Sequence, residues 1–201
     1  WAECPYKHKL KYIDGINGFT GNAFTAFGTA IHSVCEFIAK GELDPIDYDE
    51  HFDLAFLCEL KKLEEKPDNQ LITEMRQQGK AISPSVFPQL KEHFGKYEVF
   101  STEEMLYETI EELKYKWHLK GFIDLVIKTE DGKYHILDWK SCSWGWDAKK
   151  RSEKLVTYQL TLYKKFFCKK HNIDPSLVET HFGLLKRTAK DNRVEIFRVT
   201  S

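Results

Sequence analysis

The sequence predicts an α/β domain: a central mixed β-sheet flanked by α-helices, with a mainly helical N-terminal part. Three observations carry that prediction. Apolar residues recur at three- and four-residue steps through the first half of the chain. Runs rich in β-branched and aromatic residues follow, punctuated by turn residues. A further helical stretch and two short strand-like runs then close the chain, an order that favours helices layered on a sheet. At 201 residues the chain suits a single domain over 1–201, helical over 1–96 and sheet-bearing over 97–201.

Phe24, Phe27, Ile31, Val34 and Ile38 place one helix over 22–40. Phe52, Phe56, Leu60 and Leu63 place another over 49–65, stopped before Pro67. Two shorter helices are expected over 70–80 and 84–94, divided by Pro84. Residues 97–110, 116–128 and 133–139 read as consecutive antiparallel strands, the last two joined by a tight turn at Asp131-Gly132. A strong helix is expected over 152–170, then strands over 181–186 and 194–199.

Composition narrows the function classes. With 42% hydrophobic and 30% charged residues the chain is not a disordered segment. No apolar run approaches the ~20 residues that cross a bilayer, and no secretory pattern opens the chain. It begins at Trp1 rather than Met, which leaves open whether a segment precedes it. The cysteines (Cys4, Cys35, Cys58, Cys142, Cys168) are odd in number and scattered, which fits a reduced cytoplasmic setting better than a disulfide framework or a zinc site. Charge is uneven. Up to Lys140 there are 17 basic against 25 acidic residues, a net of −8, and beyond it 13 against 6, a net of +7. A basic wall facing an acidic metal pocket would give that split, as would uneven scatter.

The segments Gly121-Phe-Ile-Asp124 and Ile136-Leu-Asp138-Trp-Lys140 carry the chemistry. With side chains alternating along a strand, Asp138 and Lys140 share one face, and Leu137 and Trp139 take the other. Asp124 lies between apolar Ile123 and Leu125, where an unpaired carboxylate is costly. Two carboxylates converging on one site repel unless a cation separates them, and hard oxygen donors suit Mg²⁺ or Mn²⁺. A neighbouring lysine can stabilise charge growing on a phosphate or orient an attacking water. Alone, D-x-K is an ordinary strand-end pattern; the G-x-x-D strand at hairpin distance makes it specific.

With Gln159-x-x-x-Tyr163, these segments resemble motifs II, III and Q-x-x-x-Y of RecB-like nucleases in the PD-(D/E)XK superfamily. Gly28-x-x-x-His32-x-x-x-Glu36 and Cys4-Pro5-Tyr6-Lys7 extend the resemblance over roughly residues 4–163. It implies a restriction-endonuclease-like core and a metal held by His32, Asp124, Asp138 and the backbone carbonyl of Trp139. Asp124, Asp138 and Lys140 would be catalytic, supported by Gln159 and Tyr163, which lie one helical turn apart and either help orient the lysine or contact DNA, or else form a buried structural hydrogen bond with each other. Glu36 either holds the His32 imidazole or is a solvated acid, the latter favoured. Glu103 and Glu104 match a supporting Glu of related nucleases only weakly. Cas4-like relatives bind an iron–sulfur cluster through one N-terminal and three C-terminal cysteines; only Cys168 lies beyond residue 142 here, so no such cluster is expected.

Lys149, Lys150, Arg151 and Lys154 lead into the late helix and form either a phosphate track or a solvated face. Trp144 and Trp146 would either stack on unpaired bases or pack their loop. The resemblance thus implies an Mg²⁺- or Mn²⁺-dependent deoxyribonuclease acting on single- or double-stranded DNA ends. An exonuclease in recombination, repair or replication is favoured, in a bacterial or phage-infected cytoplasm, with a possible recombination or replication partner. A catalytically silent DNA-end binding module and an RNA-processing nuclease are the rivals.

Overall fold

The computed structural model describes residues 4–16, 20–111 and 117–200. The first turn, α1 (Pro5–His8), runs into a π-helical turn over Lys9–Ile13, and neither buries a residue. α2 (Ala23–Lys40) starts where the Asn22 side chain accepts from the N–H groups of Phe24 and Thr25, while Thr25 Oγ1 accepts from Asn22 N–H at 2.9 Å. This reciprocal cap satisfies N–H groups that the first helical turn leaves unpaired. The helix ends on Gly41, whose φ of 69° most residues avoid. Its inner face holds Phe27, Ile31, Val34 and Ile38 of the expected stripe, whereas Phe24 is left exposed with the Arg187 guanidinium over its ring.

α3 (Tyr48–Lys61) ends four residues short of the expected limit. It packs Phe52 and Phe56 against Phe27. The two helices expected over 70–80 and 84–94 are one, α4 (Asn69–Phe94), with Pro84 and Pro88 inside it. A proline removes one helical hydrogen bond and crowds the preceding turn. The helix continues because Met75, Ile82, Val86 and Leu90 all bury on one side, so tertiary packing outweighs the local cost. Asp53 ties α3 to α4 by accepting from Arg76 at 2.7 Å and pairing with Lys80 at 2.8 Å.

The sheet has five strands in the order β1 (Tyr97–Ile110), β2 (Trp117–Thr129), β3 (Tyr134–Cys142), β4 (Val178–Lys186) and β5 (Val194–Val199). The strand expected from residue 116 begins in the description at Trp117; Lys116 lies outside the described residues. Neighbours are antiparallel except β3 and β4, which are parallel. A parallel pair needs a long crossover, and this one carries α5 (Ala148–Arg151) and α6 (Lys154–His171). The helix expected over 152–170 is α6, which starts two residues later than expected; the short α5 before it is separate, and the Asp147 side chain caps its start. Helices α2, α3 and α4 cover one face of the sheet over Leu125, Ile127, Leu137 and Trp139. α6 covers the other over Ile123, Val126, Ile136 and Phe182. The result is the α/β architecture of a restriction-endonuclease-like core.

Candidate active site

The site forms where two strands part. β2 and β3 pair from Lys128↔Tyr134 to Leu125↔Leu137, and the ladder stops there. The next residue on each strand is an aspartate, Asp124 on β2 and Asp138 on β3. Instead of a main-chain partner, the Trp139 N–H donates to Asp124 Oδ2 at 2.6 Å. The alternation of β2 also slips here, since Ile123 and Val126 enter one core while Leu125 and Ile127 enter the other. Asp124 is thereby turned toward α2, where His32 Nδ1 stands 3.7 Å from its Oδ1.

Asp138 is 2% exposed. Lys140 Nζ lies 2.6 Å from its Oδ2, off the direction a hydrogen bond needs, so that buried oxygen has no hydrogen-bond partner. Burial is the main reason the Asp138 carboxyl is pushed up to about 6; the Asp124 charge adds to the rise, and Lys140 and His32 oppose it. Lys140 Nζ also donates to Gln159 Oε1 at 3.0 Å, and Gln159 Nε2 donates to the Tyr163 hydroxyl at 2.9 Å. Asp138, Lys140, Gln159 and Tyr163 thus form one chain from β3 to α6. Gly121 explains its own place in G-x-x-D, because a Cβ there would stand 2.8 Å from Tyr163 Cε1. Gly28 brings α2 close to β3, its absent Cβ lying 3.5 Å from Ser141 Oγ.

Glu36 does not hold the imidazole: it accepts from Thr102 Oγ1 at 2.9 Å and pairs with Lys40 at 2.8 Å. The two adjacent glutamates of β1 separate. Glu104 is buried with Ser101, Lys170 and His171 around it, and these hold its carboxyl down against the effect of burial. Glu103 adopts a left-handed φ of 45°. The antiparallel register sets it across from Asp124, and burial, then the charges of Asp124 and Glu36, push its carboxyl up. The duplicated acid hid this placement, which pairing with β2 would have revealed.

Of the basic residues, Lys149 and Lys154 are exposed, and Lys150 pairs with Glu153 at 2.7 Å. Arg151 donates to Glu195 at 2.7 Å and to the Trp146 carbonyl at 2.9 Å, tying α5 to β5. The two tryptophans also divide. Trp146 packs on Phe182 and Phe197, whereas Trp144 is 75% exposed.

A divalent cation fits these residues. The fit is one of donor chemistry: a buried Asp138 oxygen lacks a hydrogen-bond partner, the Asp124 charge adds to the rise of its carboxyl, and the His32 imidazole lies 3.7 Å from Asp124, although these three do not bring their ligand atoms within 4.8 Å of one another.

No curated protein matches the sequence. Among solved structures, "Crystal structure of SSO0001" is similar at 14% identity and a TM-score of 0.39, covering 98% of this chain and 75% of that one. The model of the PD-(D/E)XK nuclease superfamily matches residues 1–196, a span that contains all of the site described above. The chain belongs to the PD-(D/E)XK nuclease superfamily, whose members hydrolyse phosphodiester bonds with divalent metals.

Proposed function

We propose that this chain is a divalent-metal-dependent deoxyribonuclease acting on DNA ends, an exonuclease rather than an endonuclease. The observation that carries the centre is the meeting of Asp124 and Asp138 where the β2–β3 ladder opens, with Lys140 ion-paired to the buried Asp138. His32, Asp124, Asp138 and the Trp139 carbonyl would hold Mg²⁺ or Mn²⁺. When bound, the metal would polarise the phosphoryl oxygen and ease deprotonation of a water. The Trp139 N–H fixes the Asp124 carboxylate in place, and Gln159, backed by Tyr163, positions the Lys140 ammonium. Lys140 would donate to the phosphate as a water oxygen bonds to phosphorus and the phosphorus–oxygen bond to the leaving sugar breaks, which stabilises the added negative charge. The exonuclease and DNA assignments rest on the resemblance to RecB-like nucleases, as does a role in recombination, repair or replication.

The test is cleavage of end-labelled single- and double-stranded DNA and RNA with Mg²⁺, Mn²⁺ or EDTA. Wild type should cut DNA from its ends only with metal, and Asp138→Ala should lose at least about 100-fold in rate. Equal cleavage by the variant would remove the proposed centre. Cutting confined to RNA would keep the centre and reverse the substrate, while metal-independent DNA binding without cutting would favour the silent end-binding module.

A further inference from the structure

A second group of metal-ligand side chains lies on the opposite face of the sheet from Asp138 and Lys140. The parallel register of β3 and β4 sets His135 beside Glu179, with His181 two residues further along β4 on the same face. Among the described residues, these are the three His, Cys, Asp or Glu side chains whose ligand atoms all lie within 4.8 Å of one another. His135 Nδ1 is 3.1 Å from His181 Nε2 and 3.9 Å from Glu179 Oε2. We propose that His135, His181 and Glu179 form a separate transition-metal site, suited to Zn²⁺, that pins β3 to β4.

Four features support the assignment. Two nitrogens bound to one tetrahedral zinc, each at roughly 2.0 Å, stand roughly 3.3 Å apart, close to the observed spacing. Glu179 divides its oxygens: Oε1 takes Lys133 at 3.1 Å and Arg198 at 3.3 Å, so Oε2 is the one turned to His135. His135 Nε2 is 3.0 Å from Thr129 Oγ1, which fixes the ring and directs its Nδ1 lone pair inward, as outer partners do for ligating histidines. Burial also favours neutral imidazoles, the form that binds metal. Two imidazoles and one carboxylate select a borderline ion over Mg²⁺. Lys133 and Arg198, both paired to Glu179, weaken the local field and should lower the affinity.

The proposal does not depend on the nuclease reading, and its test separates the two. Chelator-stripped Asp138→Ala protein, freed of chelator, is titrated with ZnCl₂ by calorimetry, and Co²⁺ is added in parallel to record a tetrahedral visible spectrum. One ion should bind and raise the thermal midpoint. Adding His135→Gln or Glu179→Gln to that background should weaken binding by about tenfold or more and abolish the rise. Glu179→Gln keeps side-chain volume and leaves both histidines in place, so it remains informative if His135→Gln does not fold. In the otherwise native chain, His135→Gln should keep its Mg²⁺-dependent cleavage. If Asp138→Ala binds no Zn²⁺, or binds it unchanged in both double variants, the histidines are a hydrogen-bonded pair and the site does not exist.

Discussion

Lys140 is held from two sides, by the carboxylate of Asp138 and by the amide of Gln159. Removing the amide should leave the ammonium present but loosely placed. Gln159→Leu is therefore expected to lower kcat about 10- to 100-fold, with little change in KM and a near-native thermal midpoint; steady-state kinetics and a melt check this. Asp138 makes the opposite trade. Its carboxyl is raised to about 6, chiefly by burial, against an ordinary value near 3.9. Between those values the folded protein binds more protons than the unfolded chain, so this group's contribution to stability falls as pH rises through the window. Asp138→Asn, measured in EDTA, should be inactive yet more stable than wild type at pH 7.5, by on the order of 2 kcal/mol. The gain should vanish near pH 4, and denaturant melts at the two pH values measure it.

At the scale of elements, α4 shows packing overruling local preference. Its two prolines predict a break, but the buried face of Met75, Ile82, Val86 and Leu90 holds one helix across them. Gly79 within it is equally misleading as a sequence signal. Glycine ordinarily weakens a helix by about 1 kcal/mol relative to alanine. Here an added Cβ would stand 2.1 Å from the ring of Phe52, which is itself buried against Phe27 and Phe56. Overpacking of this kind costs about 1–3 kcal/mol or more, so Gly79→Ala is expected to lower the thermal midpoint despite its better helix propensity. An unchanged or raised midpoint would mean that α3 can move away from α4. Gly183 plays the same part in the sheet, its missing side chain filled by the ring of Trp139.

Across the whole molecule, the two cores sit on opposite faces of the sheet, and the first helical turn belongs to neither. α1 and the π-helical turn after it bury no residue, and Tyr6, Tyr12 and Ile13 are exposed. Replacing Tyr6, Tyr12 and Ile13 together by serine should therefore shift the unfolding midpoint by less than about 4 °C, the equivalent of ~1 kcal/mol for a domain of this size. A larger fall in a calorimetric scan would show that this segment packs more tightly than its exposure indicates.

Local sequence patterns specify the element types, the meander of three antiparallel strands and the shared face of Asp138 and Lys140, while Asp124, Gln159 and Tyr163 are candidates through the resemblance to RecB-like nucleases. They can do so because periods of 2 and 3.6 and the Asp131-Gly132 turn are local signals, and because Asp138 and Lys140 share a face by alternation alone. That β2 and β3 part at Asp124, that Glu103 rather than Glu104 faces it, and that Trp146 packs while Trp144 stays exposed follow from how the elements pack. The same packing joins Thr102 to Glu36 across 66 residues and His135 to His181 across 46. Such contacts depend on register and on a crossover connection, which no local pattern encodes; a strand's own sequence says which face a side chain takes, and only its neighbour says what the side chain meets there.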